Sequence, residues 1–139
     1  MTARELMTPD PVTTTPDAHI AEVWDLIREL EIRHVPVVQR GTLVGMLSDR
    51  DLGDLNMTRM LTVEGAEGLR QELATPIVNV MSSDVICVEP ETELADVVEL
   101  LLEHKIGALP VVRPDTRELI GIVSYIDVLR GLRDRLEEE

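Results

Sequence analysis

At 139 residues and 44% hydrophobic content the chain can close a core that buries roughly 68% of its unfolded surface. With one Trp, one Tyr and no Phe, that core must be built from Leu, Val and Ile, and an aromatic platform for stacking single-stranded nucleic acid is excluded. A net charge of −14 repels phosphate backbones and anionic lipid, which argues against nucleic acid and membrane as partners.

In chain order, a turn-rich lead-in around Met7 comes first, and residues 12–15 form a β-branched run bounded by Pro11 and Pro16 that predicts a short strand. A helix follows with Asp17 as its expected N-cap, and Ile20, Val23, Trp24, Ile27 and Leu30 fall on one stripe. Val35, Pro36, Val37 and Val38 predict the next strand, 43–47 the one after, and a second helix starts at Ser48.

Residues 56–76 have no counterpart elsewhere and read as a connector, with a helix over 63–73 interrupted by Gly65 and Gly68. From there the text repeats. Met7 matches Met81, Pro16 matches Pro90, Ala21 matches Ala95, Val23 matches Val97 and Pro36 matches Pro110, always 74 positions apart. Beyond that proline the offset becomes 76, pairing Gly45 with Gly121, Ser48 with Ser124 and Asp51 with Asp127. The two added residues fall in the turn at Pro114, Asp115 and Thr116, where insertion is tolerated.

The second copy predicts a strand over 85–88, a helix capped by Thr92 with Leu94, Val97, Val98 and Leu101 on its stripe, strands over 109–112 and 119–123, and a helix from Ser124 that 132–139 prolong. Each copy is thus strand, helix, strand, strand, helix, and two such units can bury their apolar faces against each other. Pro36 and Pro110 belong at a strand start or edge, since proline cannot donate to a ladder. The expected organisation is a first repeat over 1–55, a connector over 56–76, a second repeat over 77–133 and a charged tail over 134–139.

Ser48 with Asp51 and Ser124 with Asp127 are capping boxes, in which a hydroxyl and an acid three residues on satisfy a helix N-terminus. Both follow a glycine and an apolar pair at a strand end, so hydroxyl and carboxylate sit where strand meets helix, a corner able to hold an anion or a sugar. Cap and grip can coexist. His19 and His104 read as surface helix residues, Cys87 as a small core residue, and no histidine or cysteine shows metal-ligand spacing. Ser48 and Asp51 share one helical turn, leaving no place for the His34 imidazole between them, so the chain is expected not to be an enzyme. Cys87 alone allows no internal disulfide and fits a reducing compartment. There is no apolar run of spanning length and no signal-peptide pattern, so the expected location is the cytoplasm.

Both copies resemble the cystathionine β-synthase (CBS) domain, and the whole chain is similar to a tandem CBS pair, or Bateman module. The matching residues are the lead-in at Met7 or Met81, the helix before Ile32 or Ile106, the VPVV or LPVV strand, and the GMLSDRD or GIVSYID turn. The resemblance implies an α/β (α+β) fold of two β-α-β-β-α repeats packed about a pseudo-twofold axis. It also implies a regulatory module that binds AMP, ADP, ATP or S-adenosylmethionine in clefts between the repeats, with or without Mg²⁺, and requires no cofactor.

By the same resemblance Asp51 and Asp127 would hold ribose hydroxyls, and Ser48 and Ser124 would support ribose or phosphate. The base would lie against Val12, Thr13, His34 and Val35 in one copy and against Ile86, Cys87, Ala108 and Leu109 in the other. Arg33, His34 and Arg50 face Gly107, Ala108 and Ile126 in the alignment, so the first site is expected to suit a charged nucleotide better. The alternative is that Arg33 and Arg50 only solvate an acidic surface. A homodimer and an effector protein in trans are carried over from the family. Two rival readings are a ligand-free dimerisation scaffold and a divalent-cation or pH sensor.

Overall fold

The computed structural model describes residues 1–52 and 63–138. Its elements are α1 (Ala3–Leu6), β1 (Thr8–Pro9), α2 (Ile20–Leu30), β2 (His34–Gln39), β3 (Thr42–Ser48), α3 (Asp49–Leu52), α4 (Val63–Leu73), a 3-10 turn at Ile77–Asn79, α5 (Leu94–His104), β4 (Ala108–Val112), β5 (Leu119–Ser124) and α6 (Tyr125–Glu137). The offset of 74 carries both ends of α2 onto both ends of α5, so the duplicated text becomes a duplicated element. The part of the expected connector over 56–62, with the last residues of the expected first repeat, lies outside the described residues. Across the rest, α4 runs without a break. The glycine penalty of about 1 kcal/mol each does not stop the helix.

The chain divides into two units. One holds Met1–Pro11, Gly41–Leu43 and Ile86–Glu139; the other holds Val12–Arg40 and Val44–Val85. Each therefore joins the body of one copy to the lead-in of the other. In the first unit β1, β5 and β4 form an antiparallel sheet in that order, with Pro9 and Val111 on either side of Gly121. The lead-in is fastened by backbone bonds from Ala3 N–H to Thr92 O (2.8 Å) and from Arg4 N–H to Pro90 O (2.9 Å). Its core collects Ala3, Leu6, Val88, Leu94, Val97, Leu101, Leu109, Val111, Val123 and Val128.

In the second unit β2 pairs with β3, and Met46 and Ser82 exchange both backbone bonds at 2.9 and 3.0 Å. Ile20, Val23, Val35, Val37, Leu47, Leu52 and Ile77 make its core. Both cores are aliphatic, as the composition requires.

Two local expectations are corrected. The strands expected over 12–15 and 85–88 shrink to single parallel bridges, Thr14 with Val37 and Val88 with Val111. The prolines explain this. Val88 N–H donates to Pro110 O and Val112 N–H to Val88 O; the next rung would need the N–H that Pro110 lacks. Thr14 meets Pro36 and Val38 in the same way. The prolines thus lie inside β2 and β4 with the missing donor facing the edge that β3 or β5 does not use, which is the edge placement expected of them.

The helix caps also move. Asp17 and Thr92 are not the N-caps; His19 and Glu93 hold those positions without a side-chain cap bond. Ile20 N–H donates instead to Thr75 O (3.0 Å) and Leu94 N–H to Met1 O (2.8 Å). The Thr92 hydroxyl accepts from Glu89 N–H within the preceding turn, and Asp17 is held below its usual pKa by a hydrogen bond with Thr15.

Candidate functional site

Two strand-to-helix corners carry the polar residues singled out above, and each lies within one unit. At the end of β5, Ser124 N–H donates to Asp127 Oδ2 at 2.9 Å, the Ser124 hydroxyl donates to the same oxygen at 3.1 Å, and Asp127 N–H donates back to Ser124 Oγ at 3.2 Å. This is a complete capping box on α6. It occupies one carboxylate oxygen and leaves Oδ1 outside. At the end of β3, Ser48 N–H and hydroxyl donate to Asp51 Oδ2 at 2.8 and 3.2 Å. Asp51 is exposed and Asp127 half-buried. A carboxylate so fixed keeps its second oxygen available as an acceptor, the chemistry a vicinal diol needs.

Each corner is pinned to the start of the neighbouring strand. Asp49 N–H donates to Arg33 O at 2.8 Å, and Tyr125 N–H donates to Gly107 O at 3.0 Å. The first corner therefore gathers Arg33, His34, Asp49, Arg50 and Asp51. His34 is half-buried at the head of β2, with Val35 fully buried beside it. Burial holds the His34 imidazole below its ordinary pKa, with Asp49 and Asp51 pulling upward and Arg33 and Arg50 downward. The four charges oppose one another in pairs, so desolvation decides the direction and favours a neutral ring. Thr13 is half-buried and Val12 exposed, next to the Thr14 bridge on the outer edge of β2.

The second corner has the same backbone and other side chains. Ala108 and Leu109 are buried at the head of β4, Ile86 and Cys87 are half-buried before the Val88 bridge, and Tyr125 and Ile126 on α6 are 41% and 43% exposed. Sequence reasoning missed Asp49 and Tyr125, which occupy equivalent positions. The signal was available in their place directly after each N-cap serine. It also missed that Met7 packs on Gly121 and Met81 on Gly45, although both pairs were visible as matched repeats. Among the described residues no group of three or more His, Cys, Asp and Glu side chains could hold a metal ion, and no helix is long and apolar enough to cross a membrane.

A duplicated helix-strand-strand-helix unit, each led by a single-bridge segment and carrying a Ser-x-x-Asp corner, defines a tandem CBS pair. The chain belongs to the CBS domain family, which matches residues 3–55 and 77–134. It is 33% identical over 125 residues to the CBS domain-containing protein YhcV of Bacillus subtilis, an alignment spanning 90% of this chain and 81% of that one. Among solved structures it is similar to the CBS-pair protein CBSX2 from Arabidopsis thaliana, with a TM-score of 0.83, 29% identity, and 99% of this chain and 97% of that one covered. A structure of CBSX2 in complex with AMP matches with a TM-score of 0.80 and 29% identity over 96% of each chain.

Proposed function

We propose that this chain is a regulatory module that binds an adenosine-containing nucleotide at its Ser-Asp corners and transmits occupancy to a separate effector protein in the cytoplasm. The reading rests on one observation: both copies hold the carboxylate of Asp51 or Asp127 through a single oxygen, at a corner where strand meets helix. The free oxygen accepts from a ribose diol, and the base lies at the head of β2 or β4, above the buried Val35 or Leu109. The AMP complex of CBSX2 supports the ligand class. Within this reading the first corner, with Arg33, Arg50 and His34, takes the phosphorylated form, AMP, ADP or ATP.

The serine hydroxyls are engaged by their own aspartates rather than by an imidazole, which suits binding and not nucleophilic catalysis. Leu102, Leu129 and Leu136 stand 72%, 57% and 70% exposed on α5 and α6, which supports assembly as a homodimer; sedimentation analysis reads that directly.

Thermal unfolding with AMP, ADP, ATP, S-adenosylmethionine and Mg²⁺ tests the ligand. A nucleotide at a hundredfold excess over Kd stabilises by about 2.7 kcal/mol, a shift of several degrees. No shift with any adenosine ligand at millimolar concentration leaves the scaffold reading in its place, and a shift with Mg²⁺ alone favours the cation sensor.

A further inference from the structure

The second copy carries an apolar surface that its counterpart positions in the first do not. Six of the nine exposed large hydrophobic side chains among the described residues lie on α5 and α6: Leu102, Tyr125, Ile126, Leu129, Leu132 and Leu136. On α6 the positions 125, 129, 132 and 136 recur at intervals of four and three, the spacing at which one helix interlocks with another. α5 and α6 touch, and both belong to one unit. The offsets of 74 and 76 set Leu102 against Arg28, Tyr125 against Asp49 and Ile126 against Arg50. The first copy is thus charged where the second is apolar. Its helix α2 exposes one large apolar side chain, Leu30.

We propose that this face of the second repeat joins two copies of the chain in an isologous contact, α5 of each lying on α6 of the other, and that the first repeat takes no part. The contact is the surface that the homodimer reading above requires, and it rests on that reading. Charge selects the occupant. α5 carries Asp96, Glu99 and Glu103, all exposed, with no Lys or Arg between 94 and 104, while α6 exposes Arg130 and Arg135. None of these five side chains has a salt bridge among the described residues. One patch therefore sets an acidic helix beside a helix with unpaired arginines. Two molecules of net charge −14 repel at a distance, so a second copy docks only where local charges complement its own. A twofold axis brings the acids of α5 against the arginines of α6 twice. A partner of uniform charge would match one helix and oppose the other. The apolar stripe supplies affinity, and the charges fix register and exclude wrong pairings. In the first copy Arg28 stands where Leu102 would be buried, and burying a guanidinium without a partner is costly.

Sedimentation equilibrium of the full chain tests this, with circular dichroism showing that each variant is folded; every substituted side chain is exposed. Leu102→Arg with Leu129→Asn is expected to raise the dimer dissociation constant at least a hundredfold, and Leu30→Glu on α2 to leave it within about twofold. Arg130→Glu with Arg135→Glu is expected to raise it at least tenfold. Adding Glu99→Arg and Glu103→Arg to that variant is expected to restore most of the loss, which general damage to either helix would not do. Dissociation by Leu30→Glu, a dimer that survives Leu102→Arg with Leu129→Asn, or a charge reversal that brings no recovery overturns the assignment while leaving the homodimer reading intact. A wild-type chain that sediments as a monomer up to millimolar concentration overturns both.

Discussion

Met7 is placed by sequence beside the first repeat, yet its sulfur packs on Gly121 in the second, and a double-mutant cycle can measure that placement. Gly121 sits mid-sheet between Pro9 and Val111. A Cβ there would collide with Met7 Sδ, reach Met7 Cγ at 2.9 Å and approach Thr8 O at 3.1 Å. The carbonyl cannot retreat freely, because β1 is held to β5 and Asp10 N–H donates to Ile120 O. Overpacking of this kind costs about 1–3 kcal/mol. Met7→Ala alone costs about 2 kcal/mol, the low end for a buried methionine, since Met7 is half-buried. In the double variant the new methyl enters space the sulfur has left. The pair should then cost about 1 kcal/mol less than the sum of the singles, the residue being the unchanged contact with Thr8 O. Met7→Ala with Gly45→Ala should add within about 0.5 kcal/mol, because a Cβ added at Gly45 would collide with Met81 Sδ instead. Urea denaturation at equilibrium gives all the terms. Additivity of Met7 with Gly121, or equal coupling of Met7 with both glycines, refutes the exchange of lead-in segments between repeats.

Stability should also follow the His34 titration. Its pKa is depressed in the fold, so the unfolded chain takes up the proton first, and the contribution of a neutral His34 is intact above 6.5 and lost as pH falls through the folded value; His34→Asn should flatten that part of the curve of melting temperature against pH. Ser124→Ala removes the acceptor for Asp127 N–H and should cost about 1 kcal/mol in a urea titration, with the Cys87 environment, followed by thiol labelling, unchanged in the folded state. Arg33→Ala with Arg50→Ala should weaken AMP binding and flatten its dependence on salt, as read by titration at several ionic strengths; an unchanged slope would assign both arginines to surface solvation.

The elements that repeat were legible because the offsets hold for backbone-determining residues. The prolines set the edges of β2 and β4, and the serines set the corners, as spacing alone implied. What was not legible has a physical cause in each case. The caps of α2 and α5 come from the carbonyls of Thr75 and Met1, and a backbone acceptor leaves no mark in the residue type. The rungs expected over 12–15 and 85–88 end after one bridge because the needed donor is a proline nitrogen on the partner strand, a pairing that cannot be seen before the register is known. The partner of Met7 could not be chosen because Gly45 and Gly121 offer it the same chemistry. Only the tertiary arrangement separates them.

This division also bears on how the two corners of one duplicated fold come to differ in their side chains. The contacts that pin each corner to the neighbouring strand are made by backbone: Asp49 N–H to Arg33 O in one copy and Tyr125 N–H to Gly107 O in the other, at 2.8 and 3.0 Å. Arginine is replaced by glycine and aspartate by tyrosine without loss of either bond. Side chains at these positions carry little of the fold, so they can diverge in charge at small cost in stability, whereas Ser48, Asp51, Ser124 and Asp127 are bonded to one another at the helix starts and, on the proposed reading, would meet the ligand as well. Substitutions at 33, 50, 107 and 126 should therefore move ligand preference with little change in the urea midpoint, and substitutions at the four box residues should move both.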